Sequence, residues 1–341
     1  MTPEMLSISL GVVLLAALGF AYARYRSSLH GSRRAETPKR YPSVSVIRPI
    51  KGLDTELAKN VEAALRHGYP SRVETLFVFD DAEEPAIPIV EAAIERHAAE
   101  PDSEARILYC GEPPPGRTGK LNAMIRALEE ADGELIVFAD SDTRPNRRSL
   151  KRLVEKLLEH PKNGAAFLPV LVSEPPATVG DAGYAILLNA LYSPFAARSA
   201  ERRDGDLPFI MGQMMAFKRE TLEAIGGLEQ AEGQFVDDMY LGARVRAAGM
   251  RNVVAPGLLP IIERGIGPRE FWGHFVRWIA FSRSGLPTLE LKLGPWLVGT
   301  AFWLGIAGAA ASAAIAPGIG TAVLALVPAA VVALVLKLHH D

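Results

Sequence analysis

The sequence has little of what several common classes of protein require. Among its 341 residues Cys110 is the only cysteine, so no disulfide can form within the chain. Its seven histidines show no paired spacing of the H-E-x-x-H type, which argues against a histidine zinc site. A formal net charge of -2 gives no indication of a nucleic-acid partner. The sequence contains no G-x-G-x-x-G or Walker loop and no evident internal repeat.

Long apolar runs, in contrast, are present at both ends of the chain. Residues 6–23 are almost free of polar groups and about as long as a bilayer core requires. Basic residues follow this run and none precedes it, which predicts an N-terminal anchor with the next domain in the cytosol. A cleaved signal peptide is the alternative, because Ala21-Tyr22-Ala23 resembles a small-x-small site. The basic region that normally begins such a peptide is missing.

The second apolar run covers residues 296–336 and contains no charged side chain. Pro317 and Gly318 interrupt it near the middle, and each half is long enough to span a bilayer. We therefore predict a C-terminal transmembrane hairpin. A pair of buried core helices is the alternative, but so long an uncharged stretch is unusual in a soluble core.

Strand and helix signals alternate between the two apolar ends. Helical sequence separates four predicted strands, at residues 44–47, 76–79, 107–109 and 135–139. The first intervening helix is expected to be capped by Asp54 or Thr55. This alternation predicts an α/β domain with a mainly parallel sheet. Ligands bind such sheets at the carboxyl ends of the strands, where Asp81 and the triplet Asp140-Ser141-Asp142 are expected to lie.

Asp140 and Asp142 are the candidate metal ligands. Two carboxylates at this spacing can share a hard cation such as Mg²⁺ or Mn²⁺, and phosphate oxygens can fill its remaining positions. Asp and Ser are also common turn residues, so the triplet alone does not indicate a ligand site. Its position directly after a hydrophobic strand favours one. Lys51, Arg117 and Lys120 can contact phosphate, although a single basic residue is more often a solvated surface charge.

Two later stretches carry further candidate residues. Asp237-Asp238 lies where a helix is predicted to begin, so helix capping is the default explanation. The functional alternative makes one carboxylate a general base for an acceptor hydroxyl. Residues 269–283 combine a broad apolar stripe with basic side chains, which predicts an amphipathic helix on the membrane surface. Arg277 within it can neutralise a leaving diphosphate.

Taken together, these stretches resemble the ceramide glucosyltransferases of glycosyltransferase family 21, which lie within the inverting GT-A fold enzymes. The resemblance covers about residues 44–280. Each motif is weak alone, but their order and spacing make the set specific. The matching segments are Arg48-Pro49-Ile50-Lys51-Gly52-Leu53-Asp54, Tyr69-Pro70, Asp81 through Pro85-Ala86-Ile87, Lys120-Leu121-Asn122, Asp140-Ser141, Gly212-Gln213-Met214, Gly226-Gly227, Asp237-Asp238 and Arg277-Trp278.

The resemblance implies an architecture and a reaction. The architecture is an anchor at residues 1–23, a basic linker at 24–42, a Rossmann-like GT-A domain at 43–265, an amphipathic segment at 266–290 and a transmembrane hairpin at 291–341. The reaction is an inverting transfer of a hexose, in the family glucose, from a UDP-sugar to the hydroxyl of a membrane lipid such as ceramide. A divalent metal, Mg²⁺ or Mn²⁺, assists it.

The resemblance also implies residue roles. Asp238 is the expected catalytic base, and Arg277 with Trp278 ends a (Q/R)xxRW signature that binds the diphosphate and the donor sugar. Asp140 and Asp142 are the expected metal ligands, and Asp81 the expected contact of the uridine side. The full set expected to bind donor is Pro49, Lys51, Asp81, Lys120, Asp140 and Trp278.

Two features depart from the family pattern. His274 stands where the signature has Gln or Arg, and ceramide enzymes often lack a second carboxylate at the position of Asp142. A hopanoid or a polyprenyl phosphate is therefore an alternative acceptor. A membrane protein that binds nucleotide-sugar without turnover is an alternative of another class.

Overall fold

The computed structural model describes residues 2–30, 37–98, 102–202, 206–234, 236–285 and 289–340. The strands are β1 (Val44–Pro49), β2 (Val73–Phe79), β3 (Ser103–Tyr109), β4 (Leu135–Ala139), β5 (Asn163–Phe167), β6 (Val170–Val172), β7 (Asp206–Leu207), β8 (Met214–Lys218), β9 (Arg251–Val254) and β10 (Leu259–Ile261). The helices are α1 (Pro3–His30), α2 (Leu57–Leu65), α3 (Ile87–His97), α4 (Gly119–Glu130), α5 (Ser149–Leu158), α6 (Val179–Ile186), α7 (Ser193–Arg202), α8 (Arg219–Ala224), α9 (Asp237–Ala247), α10 (Pro268–Gly285), α11 (Leu289–Ile315) and α12 (Ile319–His340). A π-helix (Leu187–Tyr192) joins α6 to α7.

Eight of the described strands form one sheet, in the order β3-β2-β1-β4-β8-β5-β9-β7. β1 pairs in parallel with β2 and β4, and β2 with β3, so the predicted, mainly parallel sheet is confirmed. β8 runs antiparallel to β4 and β5. Its first residue, Met214, pairs with Ala139 at the end of β4. The chain just before β8 therefore lies at the same edge as the loop that leaves β4.

Helices on both faces explain why the central strand β4 is apolar throughout. Successive side chains of a strand point to opposite faces. In β4, Phe138 lies in the same core cluster as Met124 of α4, whereas Val137 lies with Leu153 of α5. A strand covered on both sides reads as a continuous apolar run, which is how β4 was recognisable in the sequence.

Two local predictions are corrected by the structure. α2 begins at Leu57 after Glu56, which adopts a left-handed conformation at φ 53, and no side chain caps the helix. Asp54 and Thr55 are therefore not its caps. α1 continues to His30, so the basic linker does not begin at residue 24 as predicted. The end of α1 is held to α7, because Ser28 and Arg24 both bond to Glu201.

The two apolar ends of the chain pack against each other. The break predicted at Pro317-Gly318 separates α11 from α12. A Cβ on Gly11 of α1 would lie 2.7 Å from Val323 of α12, so small residues allow close helix contact. Pro3–Ser28 and Ile319–His339 are long and apolar enough to cross a membrane, and the described apolar part of α11, Gly299–Ile315, is shorter. The third span therefore stays a prediction.

α10 occupies the predicted amphipathic segment. On one side Phe271 packs on Gly183 of α6, where a Cβ would approach the ring within 2.8 Å. On the other side Trp272 is 62% exposed and Val276 is also exposed. An exposed apolar face beside basic residues is typical of a helix that lies on a membrane surface.

Gly133 provides a test of how tightly the sheet is packed. A Cβ at this position would lie 2.3 Å from the backbone nitrogen of Ser45 in β1. We expect Gly133→Ala to lower the free energy of unfolding by about 1–3 kcal/mol, because the strand must shift to make room. Thermal unfolding of the purified protein measures this, with Gly119→Ala as matched control, since a Cβ there would meet nothing within 4 Å. Equal melting temperatures for the two variants would contradict the packing.

Candidate active site

A polar cleft of about 730 Å³ opens at the carboxyl edge of the sheet. Its wall is formed by loops that follow β1, β4 and β10, by the segments just before β8 and α9, and by the helices α4, α6, α9 and α10. Its charged lining residues are Asp54, Lys120, Asp140, Asp142, Asp237, Asp238, Glu263, Arg264, Glu270, His274 and Arg277. Two of the acidic stretches noted in the sequence, Asp140-Ser141-Asp142 and Asp237-Asp238, thus share one cleft with Asp54, whereas Asp81 does not line it.

The loop after β4 carries the acidic triplet. Asp140 Oδ1 lies 2.5 Å from Nζ of Lys120, which α4 projects into the cleft. Asp142 Oδ1 and Asp54 Oδ2 are buried and have no hydrogen-bond partner among the described residues. Buried carboxylate oxygens are normally paired, so two unpaired ones at one cleft indicate a position that a cation can fill. These residues fit a hard, oxygen-loving cation such as Mg²⁺ or Mn²⁺.

The buried side chain of Arg48 holds the loop after β4 in position. Its side chain is 1% exposed, and Nη2 donates to the carbonyl oxygens of Asp140 at 2.8 Å and Thr143 at 2.9 Å. Burial lowers the pKa of Arg48 to about 10, while the nearby carboxylates oppose that shift, so the side chain stays charged at neutral pH. In the sequence Arg48 was recognisable only as the first residue of a family motif. Its contact with the loop depends on the pairing of β1 with β4.

The electrostatics of the cleft favour a bound cation. Burial raises the pKa of Asp142 to about 7, and the charges of Asp140 and Asp54 add to the effect. Burial opposes the charge on Lys120, but Asp140, Asp237 and Asp238 outweigh it and raise the pKa of that ammonium. The cleft thus concentrates negative charge that one lysine offsets only in part. A divalent cation would reduce this repulsion.

Asp238 lies in the first turn of α9, at the junction of the cleft with the core. Its Oδ2 accepts a hydrogen bond from the backbone nitrogen of Gly212 at 2.6 Å, and Oδ1 accepts from Met239 at 2.7 Å. The residue at the N-cap is Val236, so capping by Asp237 or Asp238 is not the explanation for this acidic pair. Burial, followed by the charge of Asp237, raises the pKa of Asp238 to about 7. A base poised near neutral pH is well suited to proton transfer.

The far wall of the cleft comes from α10. Nη2 of Arg277 lies 3.2 Å from Nδ1 of His274, whose Nε2 is 3.7 Å from Glu263. The ligand atoms of Glu263, Glu270 and His274 all lie within 4.8 Å of one another, which is close enough to hold a cation. Burial also raises the pKa of Glu263. His274, which stands at the Gln or Arg position of the (Q/R)xxRW signature, is therefore part of a polar cluster with Arg277, Glu263 and Glu270.

Some predicted residues do not line this cleft. Pro49 ends β1 and Lys51 follows it, with Nζ 2.6 Å from Asp80. Asp81 is exposed and accepts a hydrogen bond from the backbone of Glu83. All three lie at the same edge of the sheet, next to the cleft residues that begin at Leu53. Their expected contact with the nucleotide stays a prediction.

Several cleft residues were not predicted from the sequence or were given another role. Asp54 was expected to cap α2, although the family motif that ends in Asp54 was a signal for it. Glu263 follows β10 and Tyr184 comes from α6, and neither was among the predicted site residues. Gln213 was noted only within a motif, and β8 brings it to the cleft by pairing with β4. No local pattern predicts such distant neighbours.

The fold is that of the GT-A glycosyltransferases. A mannosyltransferase from Pyrobaculum calidifontis, solved in complex with GDP-Man and Mn²⁺, superposes with a TM-score of 0.55 and 21% identity, and the match covers 98% of each chain. At that identity the likeness establishes the fold alone. The chain itself belongs to glycosyl transferase family 21, whose family profile matches residues 11–339. The resemblance drawn from the sequence motifs is thereby confirmed.

Curated relatives agree with this assignment. Ceramide glucosyltransferase 3 of Caenorhabditis elegans is 22% identical over 280 residues, which cover 82% of this chain and 58% of that protein. Ceramide glucosyltransferase 1 of the same organism is 25% identical over 278 residues, covering 81% and 56%. The ceramide glucosyltransferase of Candida albicans is 30% identical over 127 residues, 34% of this chain. The chain matches just over half the length of the two C. elegans proteins.

Proposed function

We propose that the protein transfers a hexose, glucose in the first instance, from a UDP-sugar to the hydroxyl of a membrane lipid of the ceramide type. The observation that carries the proposal is a single cleft lined by paired carboxylates, a lysine, a backbone-held aspartate and an arginine on the amphipathic helix α10. Membership of glycosyl transferase family 21 supports the same reaction class. The catalytic domain would face the cytosol, an orientation that the basic residues after the first apolar run favour.

Asp140 and Asp142 would hold Mg²⁺ or Mn²⁺, with Asp54 beside them. The bound cation would neutralise charge on the diphosphate of the leaving UDP. Lys120 and Arg277 add fixed positive charge on two sides of the same space, which favours departure of the diphosphate. Pro49, Lys51 and Asp81 would hold the nucleoside at the adjacent edge of the sheet, and the Trp278 ring would contact the sugar.

Asp238 would act as the general base. The acceptor oxygen attacks the anomeric carbon as its proton passes to the carboxylate of Asp238. The bond between the anomeric carbon and the diphosphate oxygen breaks, and its electron pair leaves with UDP. Because the attack and departure occur on opposite faces, the configuration at the anomeric carbon inverts. The two backbone N–H groups on Asp238 fix the carboxylate in one orientation for this transfer.

The direct test is transfer in lipid nanodiscs that contain the purified protein. UDP-glucose and other UDP-sugars are offered with ceramide, a hopanoid or a polyprenyl phosphate, and products are identified by mass spectrometry. We expect a hexosylceramide that forms only when Mg²⁺ or Mn²⁺ is present. Transfer to another lipid would reassign the acceptor. Donor binding without any transfer or donor hydrolysis would favour a binding protein, and full activity in excess EDTA would contradict the metal site.

Metal binding is expected to depend on pH. The Asp142 carboxyl must lose its proton to bind a cation, and its pKa is raised to about 7. Affinity for Mn²⁺ should therefore rise roughly tenfold per pH unit below about pH 7 and level off above it. Calorimetric titrations at acidic, neutral and basic pH measure this. Asp142→Asn, which has no proton to lose, should bind more weakly and with a flatter dependence; a flat profile for the natural protein would contradict the assignment.

A further inference from the structure

A second cavity, of about 80 Å³ and mainly apolar, adjoins the polar cleft. Gln213, Val236, Asp238 and Trp278 line both spaces, so the two meet at these four residues. Beyond this junction the wall of the second cavity is hydrophobic. Phe195, Phe209 and Met239 are among the side chains that form it.

The cavity lies between the elements that connect the catalytic domain to the apolar helices. Tyr192, at the end of the π-helix, packs edge-on against Trp278 of α10 at 4.6 Å and donates to its carbonyl oxygen. Phe195 lies on α7, which Glu201 ties to α1 through Ser28. A hydrocarbon chain that approached from the bilayer would therefore meet this cavity next to the proposed base.

Gln213 provides a second, independent indication of a ligand. Its side-chain Oε1 is buried and has no hydrogen-bond partner among the described residues. Its backbone carbonyl accepts from the backbone nitrogen of Asp140 at 3.0 Å, which fixes the residue between the metal loop and the cavity. An unpaired buried amide oxygen carries a free-energy cost unless a ligand or water donates to it. A donor group on the ligand is therefore expected close to Asp238.

We propose that this cavity is the acceptor subsite, and that it holds the hydrocarbon next to the reacting hydroxyl while Gln213 accepts a hydrogen bond from a neighbouring polar group of the same lipid. The inference rests on the proposed function and assigns the cavity and the side chain that would recognise its acceptor. The acceptor would carry a hydroxyl, a hydrogen-bond donor such as an amide N–H a few bonds away, and an apolar chain. Ceramide has all three, whereas a polyprenyl phosphate has neither the hydroxyl nor the amide.

Filling the cavity tests the hydrocarbon part of the proposal. Met239→Trp adds volume inside the cavity, and Tyr240→Trp places the same side chain one residue later on α9, outside both spaces. We expect Met239→Trp to raise KM for a long-chain ceramide at least tenfold, with UDP-sugar affinity within about twofold of the natural protein. Tyr240→Trp should change neither value. An unchanged ceramide KM in a folded Met239→Trp protein would overturn the subsite.

The polar part is tested with Gln213→Leu, which keeps a similar volume and removes the acceptor oxygen. For ceramide we expect about a tenfold loss in kcat/KM, the size of one hydrogen bond to a neutral group. For an analogue whose amide nitrogen is methylated the same substitution should have little effect, because that analogue has no N–H to donate. Equal losses with both acceptors would overturn the role of Gln213.

A binding experiment separates failure of this inference from failure of the proposed reaction. A ceramide with a diazirine near its hydroxyl is photolysed with the protein in nanodiscs containing UDP and Mn²⁺, and modified peptides are mapped. We expect labels at residues 192–195, 209–211 or 239, reduced by Met239→Trp and retained in Tyr240→Trp. Labels confined to α1 and α12 would overturn the subsite even if the protein transfers sugar. Labels at the cavity without turnover would support the subsite and contradict only the proposed activity.

Discussion

Asp238→Asn is expected to lower the rate of sugar transfer by about 10²–10⁴-fold, the usual contribution of a general base. The amide has no proton affinity at neutral pH, so the acceptor hydroxyl would attack without a base. Donor affinity should change little, because Asp238 serves the acceptor in the proposed mechanism. Single-turnover transfer and equilibrium binding of UDP-glucose, measured on the same preparation, separate the two effects.

The structure also predicts a folding cost for this substitution, which the experiment must control. Both oxygens of Asp238 accept from backbone N–H groups, and an asparagine can accept with only one of them. We expect a lower melting temperature for Asp238→Asn, without loss of the fold. Asp237→Asn is the matched control, since Asp237 lies in the same cleft but is not held by Gly212. Its transfer rate should fall less than tenfold, and near-normal turnover of Asp238→Asn would contradict the assigned base.

Asp142→Ala is expected to remove most of the metal-dependent binding of the donor. Loss of residues that merely orient metal ligands costs 10–100-fold in affinity, so loss of a ligand should cost at least about 100-fold. Titration of Mn²⁺ in the presence of UDP measures this directly. The same titration on Asp54→Asn tests whether the third carboxylate, whose Oδ2 is buried and unpaired among the described residues, also contacts the cation.

The outcome distinguishes a metal site from a structural acidic loop. If Asp142 serves only the loop, Asp142→Ala should leave Mn²⁺ affinity unchanged and alter the melting temperature alone. Arg48→Met offers a further comparison, because Arg48 holds the backbone of the same loop without facing the cation. It should weaken Mn²⁺ binding less than Asp142→Ala and destabilise the fold more, since it removes a buried charged group that donates to the carbonyl oxygens of Asp140 and Thr143.

The cleft joins two features that were separate in the sequence, an acidic edge of the sheet and an apolar junction with the long apolar helices. α10 links them, since Trp278 lines both the cleft and the apolar cavity while Trp272 on the same helix is exposed. A lipid acceptor and a water-soluble donor must meet at such a boundary. Asp238, the proposed base, lines both the polar cleft and the apolar cavity, so both proposed substrates would reach it there.

The sequence by itself determined the apolar ends, the positions of the strands β1 to β4 along the chain and the acidic residues that follow some of them. These features are local, because burial on one or both sides sets the periodicity of a strand and bilayer thickness sets the length of an apolar run. The ordered motifs also identified the family. The end of α1 and the role of Asp54 were predicted wrongly. Each involves residues outside its own segment, because α1 bonds to Glu201 of α7 and Asp54 lines the cleft.

Only the tertiary structure decided which distant residues became neighbours. The antiparallel insertion of β8 beside β4 brings Gly212 to Asp238 and Gln213 to Asp140, and the packing of α10 brings His274 to Glu263. Buried contacts of this kind, like those of Arg48, depend on strand order and helix docking across the whole chain. A local pattern records how each residue is buried, but it does not record which residue it is buried against.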